Sequence, residues 1–195
     1  MLAERMNTFS GSPTSALIAK VAELRAEGKD IISLNVGEPD FGTPDYIKCG
    51  AIKAIVDNFS KYTAGNGIIE LRRLISKKLH EDNNLEYTTD EICATVGAKQ
   101  AIFNSIMALV DPGDEVLLPV PCWVSYTEMI KFAGAKPVFV DVEAETFDLD
   151  IEALEKAVTT KTKAIVICTP NNPTGAVYSL SLIHISEPTR RTPIS

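Results

Sequence analysis

From Glu91 onward, short apolar runs alternate with segments whose apolar positions return every three or four residues. Short apolar runs bounded by turn residues read as strands, and the three-to-four spacing reads as amphipathic helix. The predicted strands are EICATV (91–96), EVLLP (115–119), PVFVD (137–141) and KAIVIC (163–168). The helix between the first two, 98–110, carries Ile102, Phe103, Ile106, Met107 and Val110 on one face. Asp111-Pro112-Gly113 supplies the turn that follows it. A second helix is expected over about Ser125–Ala133, and a third after Asp150, an N-cap residue, with Ile151, Leu154 and Val158 inward. Upstream, Ser12-Pro13 reads as an N-cap and first-turn pair for a helix carrying Leu17, Val21 and Leu24, which Gly28 stops. IISLNV (31–36) is a predicted strand, GEPDFGTP (37–44) a turn-rich loop, and Pro44 opens a helix through Asn58. The loop SKYTAGNG (60–67) precedes a helix with Leu71, Leu74, Ile75 and Leu79 on one face.

Strands that alternate with helices imply right-handed crossovers and a mainly parallel sheet covered on both faces, a three-layer α/β/α fold. The near-continuous apolar run 164–168 fits a strand buried on both sides. Ligands gather at the carboxyl ends of such strands. Three conspicuous loops fall there: GAKQ after 91–96, PCWVSY after 115–119 and TPNNPTG after 163–168. Neither an internal repeat nor a low-complexity linker interrupts the chain.

Composition narrows the function. The 195 residues are 45% hydrophobic and 23% charged, a globular balance with enough chain for a core. A net charge of −7 without a basic run argues against nucleic-acid and anionic-membrane partners, which need clustered Lys and Arg. The opening MLAERMNTFSGSPTS has no apolar leader, and the longest apolar runs are one strand long, so a cytoplasmic protein is expected. Cys49, Cys93, Cys122 and Cys168 form no CxxC pair, which reads as four buried or semi-buried thiols in a reducing compartment and no zinc site. Of the two histidines, His80 reads as a surface residue and His184 lies in an odd C-terminal stretch.

Three segments offer chemistry. Gly97, at a strand-to-helix switch, lets backbone approach a ligand, and the first helical N–H groups suit a phosphate; the plain alternative is a tight turn. Lys99 either faces that phosphate or is a solvated first-turn residue. Trp123, the only tryptophan, is either a plate for stacking on a flat ring or a core aromatic. In TPNNPTG, Pro173 and Gly175 shape a turn and the two Asn side chains offer amides to a crevice, although Asn, Pro and Gly are all ordinary turn formers.

Together, LNVGEPDFGTP, KYTAGNGIIELR, TVGAKQAI, DPGDEVLLPVPCWVSY and TPNNPTGAVY resemble, in order and spacing, the signatures of the class I/II aminotransferases. These are pyridoxal-phosphate enzymes of fold type I, and the likeness is greatest to bacterial aspartate aminotransferases. It extends from about residue 7 to residue 178. The resemblance implies pyridoxal 5′-phosphate as cofactor, amino-acid and 2-oxo-acid substrates (aspartate with 2-oxoglutarate foremost), and a homodimer. It implies that the Gly37 amide meets the substrate carboxylate and that Tyr62 reaches the phosphate of the neighbouring subunit. It also implies that the Ala98 and Lys99 amides beside Gly97 cradle the phosphate of their own subunit. Trp123 would stack on the pyridine ring, and Asn172, rather than Asn171, would bond the ring's phenolic oxygen. Trp123 and Asn172 would also border the substrate.

The family's Schiff-base lysine, pyridinium Asp, second Tyr and substrate-binding Arg would all follow NPTG. No SxSK-like stretch occurs in these residues, and Lys99 in the phosphate loop is no substitute. No catalytic residue is therefore assigned, and the chain by itself is expected to be inactive. After AVY the family would continue with a Ser-initiated helix; SLSLIHISEPTRRTPIS instead reads as translated sequencing-adapter sequence, without helical period, joined between Tyr178 and Leu182. The implied organisation is 1–43 as N-terminal arm and part of the small domain, 44–178 as the N-terminal portion of the large cofactor-binding domain, and 179–195 as a non-native tail. Such a truncated fold type I domain would leave apolar surface uncovered and prone to aggregate. The rival readings are another fold type I enzyme (a β-lyase or an aminotransferase for a different substrate), the cofactor-sensing domain of a transcription regulator, and a non-catalytic α/β binding protein. The regulator would need a basic recognition helix, which the residues before GEPDF lack.

Overall fold

The computed structural model describes residues 3–7 and 13–186. Ser12, the expected N-cap, and the stretch beyond Ser186 lie outside the described residues. The chain divides into two compact units, a helical unit (Pro13–Ala101) and a sheet unit (Ile102–Ser195 with Met1–Ser12). In order, the helical unit holds α1 (Pro13–Ala26), α2 (Asp45–Val56) and α3 (Ile69–Asn83). Helix α4 (Gly97–Leu109) begins in the helical unit and ends in the sheet unit. Then come β1 (Glu115–Val120), α5 (Ser125–Phe132), β2 (Lys136–Asp141), α6 (Ile151–Ala157), β3 (Thr162–Ile165) and α7 (Leu180–Ser186).

The three strands are parallel in the order β2-β1-β3. Strand β1 is central, and its side chains divide by the period of two that a strand imposes. Val116 and Leu118 point into one core with Ile106 and Val110, at and just past the end of α4, and with Tyr126, Met129 and Ile130 of α5. Leu117 points into the opposite core with Val140, Leu149, Leu154 of α6 and Tyr178. The crossover through α5 moves from β1 to β2, and the one through α6 moves back past β1 to β3. Two right-handed crossovers running in opposite directions must lie on opposite faces. The result is the expected three-layer α/β/α arrangement.

Glu115 fixes the register where the strands begin. It is buried, and its carboxylate accepts from Thr159 Oγ1 at 2.7 Å and from Lys136 Nζ at 3.1 Å. The Thr159 bond first and then the Lys136 bond hold this carboxyl below the ordinary carboxylate range. Its backbone N–H donates to Lys161 O at 2.8 Å, and Lys136 N–H donates to Asp114 O at 2.8 Å. Asp150 caps α6 as expected, its Oδ1 accepting from Ala153 N–H at 2.9 Å.

Several expectations are corrected. Segments 31–36 and 91–96 are not strands, and 163–168 pairs as a strand only through Ile165. A strand needs a ladder partner. Ala94 N–H instead donates to Asn66 O at 3.0 Å in a turn contact, and Ile32 and Leu34 stand 86% and 90% exposed. A 3₁₀ turn at Thr89–Glu91 replaces the start of the expected strand, closed by a capping box in which Glu91 Oε2 accepts from Thr88 N–H and Oγ1, both at 2.8 Å. The stretch after Tyr178 was expected to lack helical structure, yet α7 forms there. Ser179 caps it, its Oγ accepting from Leu182 N–H at 3.3 Å, and Ile183 packs on the Leu117 core. Cys49 and Cys93 are exposed, so the semi-buried setting expected for all four thiols holds for Cys122 and Cys168 alone. His80 is a surface residue as expected, its Nδ1 lying 2.7 Å from Glu86 Oε1.

The helical unit is organised differently from its apolar pattern. No residue of α2 is buried, and Leu71 and Leu74 of α3 are exposed. The buried residue of α3 is Arg72.

Candidate functional site

In the sheet unit the carboxyl ends of β1 and β3 launch neighbouring loops. Strand β1 ends at Val120, followed by a cis bond to Pro121, then Cys122 and Trp123. Trp123 O accepts from Tyr126 N–H at 3.1 Å, and the two rings meet edge to face at 5.3 Å. The half-buried indole is thereby fixed at the start of α5.

The loop beyond β3 is closed upon itself. Asn171 N–H donates to Ala176 O, and Gly175 N–H, at φ +77°, donates to Asn171 O, both at 2.8 Å. Tyr178 N–H donates to Thr169 Oγ1 at 3.0 Å. The bonds Thr169–Pro170 and Asn172–Pro173 are cis. The buried Asn171 amide donates to Thr174 Oγ1 at 2.9 Å and, across to the other loop, to Pro121 O at 3.0 Å. That last bond ties the Trp123 loop to the loop bearing Asn172. Asn171 is thus committed to the scaffold, while Asn172 is exposed at the rim of the same turn. Asn171→Ala is expected to cost about 1–2 kcal/mol, measured by urea unfolding, because Pro121 O and Thr174 lose their donor in a part-buried setting. An unchanged urea midpoint would contradict this role.

Beneath these loops the Tyr126 phenol is pushed up from 10.0 to about 12, first by burial and then by its hydrogen bond with Cys168 and the nearby thiols. Burial and the nearby Cys168 and Asp148 raise Tyr178 as well, and burial raises the Cys122 thiol. The folded state therefore favours neutral Tyr126. Its contribution to stability is whole below the ordinary value of 10.0 and drains away as pH rises toward about 12. Alkaline unfolding is expected in that window, and Tyr126→Phe should make stability less dependent on pH there. An equal slope for both proteins would refute the assignment.

In the helical unit α4 begins at Gly97, the glycine expected beside a phosphate. Gly97 takes φ +77°, and a Cβ placed on it would meet nothing within 4 Å. Its N–H donates to Thr95 O at 2.9 Å, its carbonyl accepts from Thr95 Oγ1 at 3.1 Å, and Gln100 Oε1 accepts from Val96 N–H at 2.6 Å. Ala98 and Lys99 occupy the exposed first turn. Also in this unit, the Tyr62 side chain is fully exposed and Gly37 has open space around it. The expected residues therefore fall into two groups, Trp123 with Asn172 in the sheet unit and Gly37, Tyr62, Gly97, Ala98 and Lys99 in the helical unit. Asn171, Arg72, Thr95 and Gln100 hold these segments in shape; of these only Asn171 is weighed in the sequence, as the alternative to Asn172 for the ring oxygen. The visible cue for Asn171 is its place directly before the Asn172-Pro173-Thr174-Gly175 turn.

Among the described residues no three His, Cys, Asp or Glu are grouped to hold a metal ion. No helix among them is long and apolar enough to cross a membrane.

Residues 29–185 match the aminotransferase class I and II family. The aspartate/prephenate aminotransferase of Nitrosomonas europaea is 47% identical over 180 residues, 92% of this chain and 45% of that protein. The aspartate aminotransferase of Bacillus subtilis is 44% identical over 91% of this chain and 46% of its own length. Among solved structures, the aspartate aminotransferase of Thermus thermophilus with maleate superposes with a TM-score of 0.92 at 43% identity, over 95% of this chain and 49% of that one. The alanine aminotransferase of Pyrococcus furiosus gives 0.88 at 33% identity, over 95% and 48%. The chain thus spans about half the length of the curated relatives it matches. With its parallel sheet, its loops at the strand ends and this agreement along most of its length, the chain belongs to the class I and II aminotransferases.

Proposed function

We propose that these residues form the cofactor-binding part of a pyridoxal-phosphate-dependent aminotransferase that moves an amino group between aspartate and a 2-oxo acid. The observation that carries this reading is the pair of loops at the ends of β1 and β3. They present a half-buried indole and an exposed asparagine amide, joined through Asn171 and Pro121 at 3.0 Å. The residues present fit the cofactor. Open space at Gly97 and the N-terminal N–H groups of α4 suit a phosphate dianion. When bound, pyridoxal phosphate supplies the electron sink for breaking the substrate Cα–H bond.

The protein's share is placement. The amides of Ala98 and Lys99 hold the phosphate, and Tyr62 reaches the phosphate of the neighbouring subunit in a homodimer. Trp123 fixes the ring plane and Asn172 bonds the phenolic oxygen. The Gly37 amide turns the substrate carboxylate. In domain terms, residues 44–178 belong to the large cofactor-binding domain, 1–43 to the arm and part of the small domain, and 179–195 to a non-native tail. The location is the cytoplasm. A second reading keeps fold and cofactor and changes the amino acid, since a solved neighbour at 33% identity is an alanine aminotransferase.

Because Trp123 is the only tryptophan, its fluorescence reports directly on ring binding. Pyridoxine 5′-phosphate, which has no aldehyde to react with surface lysines, is expected to quench it saturably. Trp123→Phe and Asn172→Ala should each raise the calorimetric Kd about 3–10-fold, the scale of one stacking contact or hydrogen bond. No saturable quenching would refute the reading. These residues include no SxSK-like lysine, so mixing the chain with cofactor, aspartate and 2-oxoglutarate should yield no new keto acid. Robust turnover would overturn that part.

A further inference from the structure

Arg72 stands apart in the helical unit as the buried residue of α3, the Leu71 and Leu74 beside it being exposed. A buried guanidinium is costly unless its donors are satisfied. Here Nε donates to Gly67 O at 3.2 Å and Nη1 donates to Thr89 O at 2.7 Å. Its nearest carboxylate, Asp90 Oδ1, lies 3.7 Å away on a side chain that is 95% exposed, a contact that contributes little. The arginine therefore acts as a strut between two backbone segments rather than as half of an ion pair.

The two segments lead to the residues assigned to phosphate. On one side, Gly67 N–H donates to Ala64 O at 2.9 Å, closing a turn just after Tyr62. On the other, Thr89 opens the stretch that runs through Ala94 and Thr95 to Gly97 and the start of α4. The segments also touch directly. Ala94 N–H donates to Asn66 O at 3.0 Å, and a Cβ on Gly67 would lie 2.8 Å from the Ala94 Cβ. Beyond Ala94, the Thr95 and Gln100 bonds to Gly97 and Val96 pass the constraint on to the helix terminus.

We propose that Arg72 is a positioning residue for phosphate recognition, holding the Tyr62 turn and the Gly97–Lys99 amides in register through Gly67 O and Thr89 O. This rests on the cofactor reading above. Its guanidinium offers planar donors to two carbonyls at once, which a lysine ammonium on a flexible stem does not reproduce. In a homodimer one strut would serve two sites, Tyr62 reaching the partner's phosphate and the α4 amides holding their own.

The test compares the whole chain with Arg72→Lys and Arg72→Ala by calorimetry, titrating pyridoxine 5′-phosphate and pyridoxine. The two ligands share a ring and differ in the phosphate. Wild type should prefer the phosphorylated ligand by about tenfold or more. In Arg72→Ala this preference should fall below about threefold while pyridoxine binding is unchanged, and Arg72→Lys should lie between. General destabilisation would weaken both ligands alike and leave the ratio intact. An intact ratio in folded Arg72→Ala overturns the proposal. No preference in wild type refutes the cofactor reading and the proposal with it. If Arg72→Ala does not fold, Arg72→Lys decides. Faster hydrogen exchange at Ala94 N–H with a reduced ratio supports the strut, and unchanged exchange and ratio overturn it.

Discussion

Leu118→Ala is expected to lower the stability of the sheet unit by about 3–4 kcal/mol, the range for a fully buried leucine whose cavity cannot collapse. Leu118 is 0% exposed on the central strand, and Val116 and Ile130 of the same core are 1% and 0% exposed. A strand bonded on both sides cannot shift to fill a void without breaking a ladder, so the cavity should persist. Trp123 fluorescence follows this unit in urea. Phe139, opposite Leu118 on β2, is the control, because it is 56% exposed and its truncation should cost about 1 kcal/mol or less. Similar losses at the two positions would mean that the central strand does not form a closed core.

The contrast between Leu118 and Phe139 also marks where the sequence could be read. EVLLP and KAIVI are apolar at consecutive positions, and only a strand covered on both faces has use for that. Helix α5 and the Asp150 cap follow from equally local signals. The strands expected at 31–36 and 91–96 fail for the complementary reason. Strand formation is a relation between segments, and an apolar run without a ladder partner is only extended chain. Ile32 and Leu34 carry the right side chains and remain outside any sheet. Ser179 shows a missed local signal, since a serine three residues before Leu182 is an ordinary N-cap.

Legibility of the candidate site follows the same division. Gly97, Trp123 and the Asn-Pro-Thr-Gly turn are visible because their residue types are unusual in their order. What distinguishes Asn171 from Asn172 is not visible, because it depends on Pro121 O arriving from 50 residues away. Arg72 was hidden by its neighbours. Leu71, Leu74, Ile75 and Leu79 form a persuasive stripe, and a charged residue beside a stripe reads as solvated. Its acceptors come from a turn five residues back and a 3₁₀ turn seventeen residues ahead, and no periodicity encodes that meeting.

Gly67→Ala should be the most damaging single methyl in the helical unit, costing about 2–4 kcal/mol in hydrogen-exchange or circular-dichroism measurements. Two effects add. Gly67 sits at φ +96°, which an alanine adopts only at about 1–2 kcal/mol. The new Cβ would also stand 2.8 Å from the Ala94 Cβ, a side-chain atom bonded directly to Cα that no side-chain rotation can move. Relief requires the two segments to separate, and with them go the Ala94–Asn66 bond and the seat of Arg72 on Gly67 O. Gly97→Ala isolates the first effect. Its φ of +77° is similarly unfavourable but nothing lies within 4 Å, so about 1–2 kcal/mol is expected. Ala94→Gly isolates the second. Introduced beside Gly67→Ala, it removes the opposing methyl and should restore part of the lost stability, although glycine alone at 94 destabilises the unit. Strictly additive losses in the double variant would show that the Gly67 and Ala94 segments do not meet, and the strut between them would have nothing to hold.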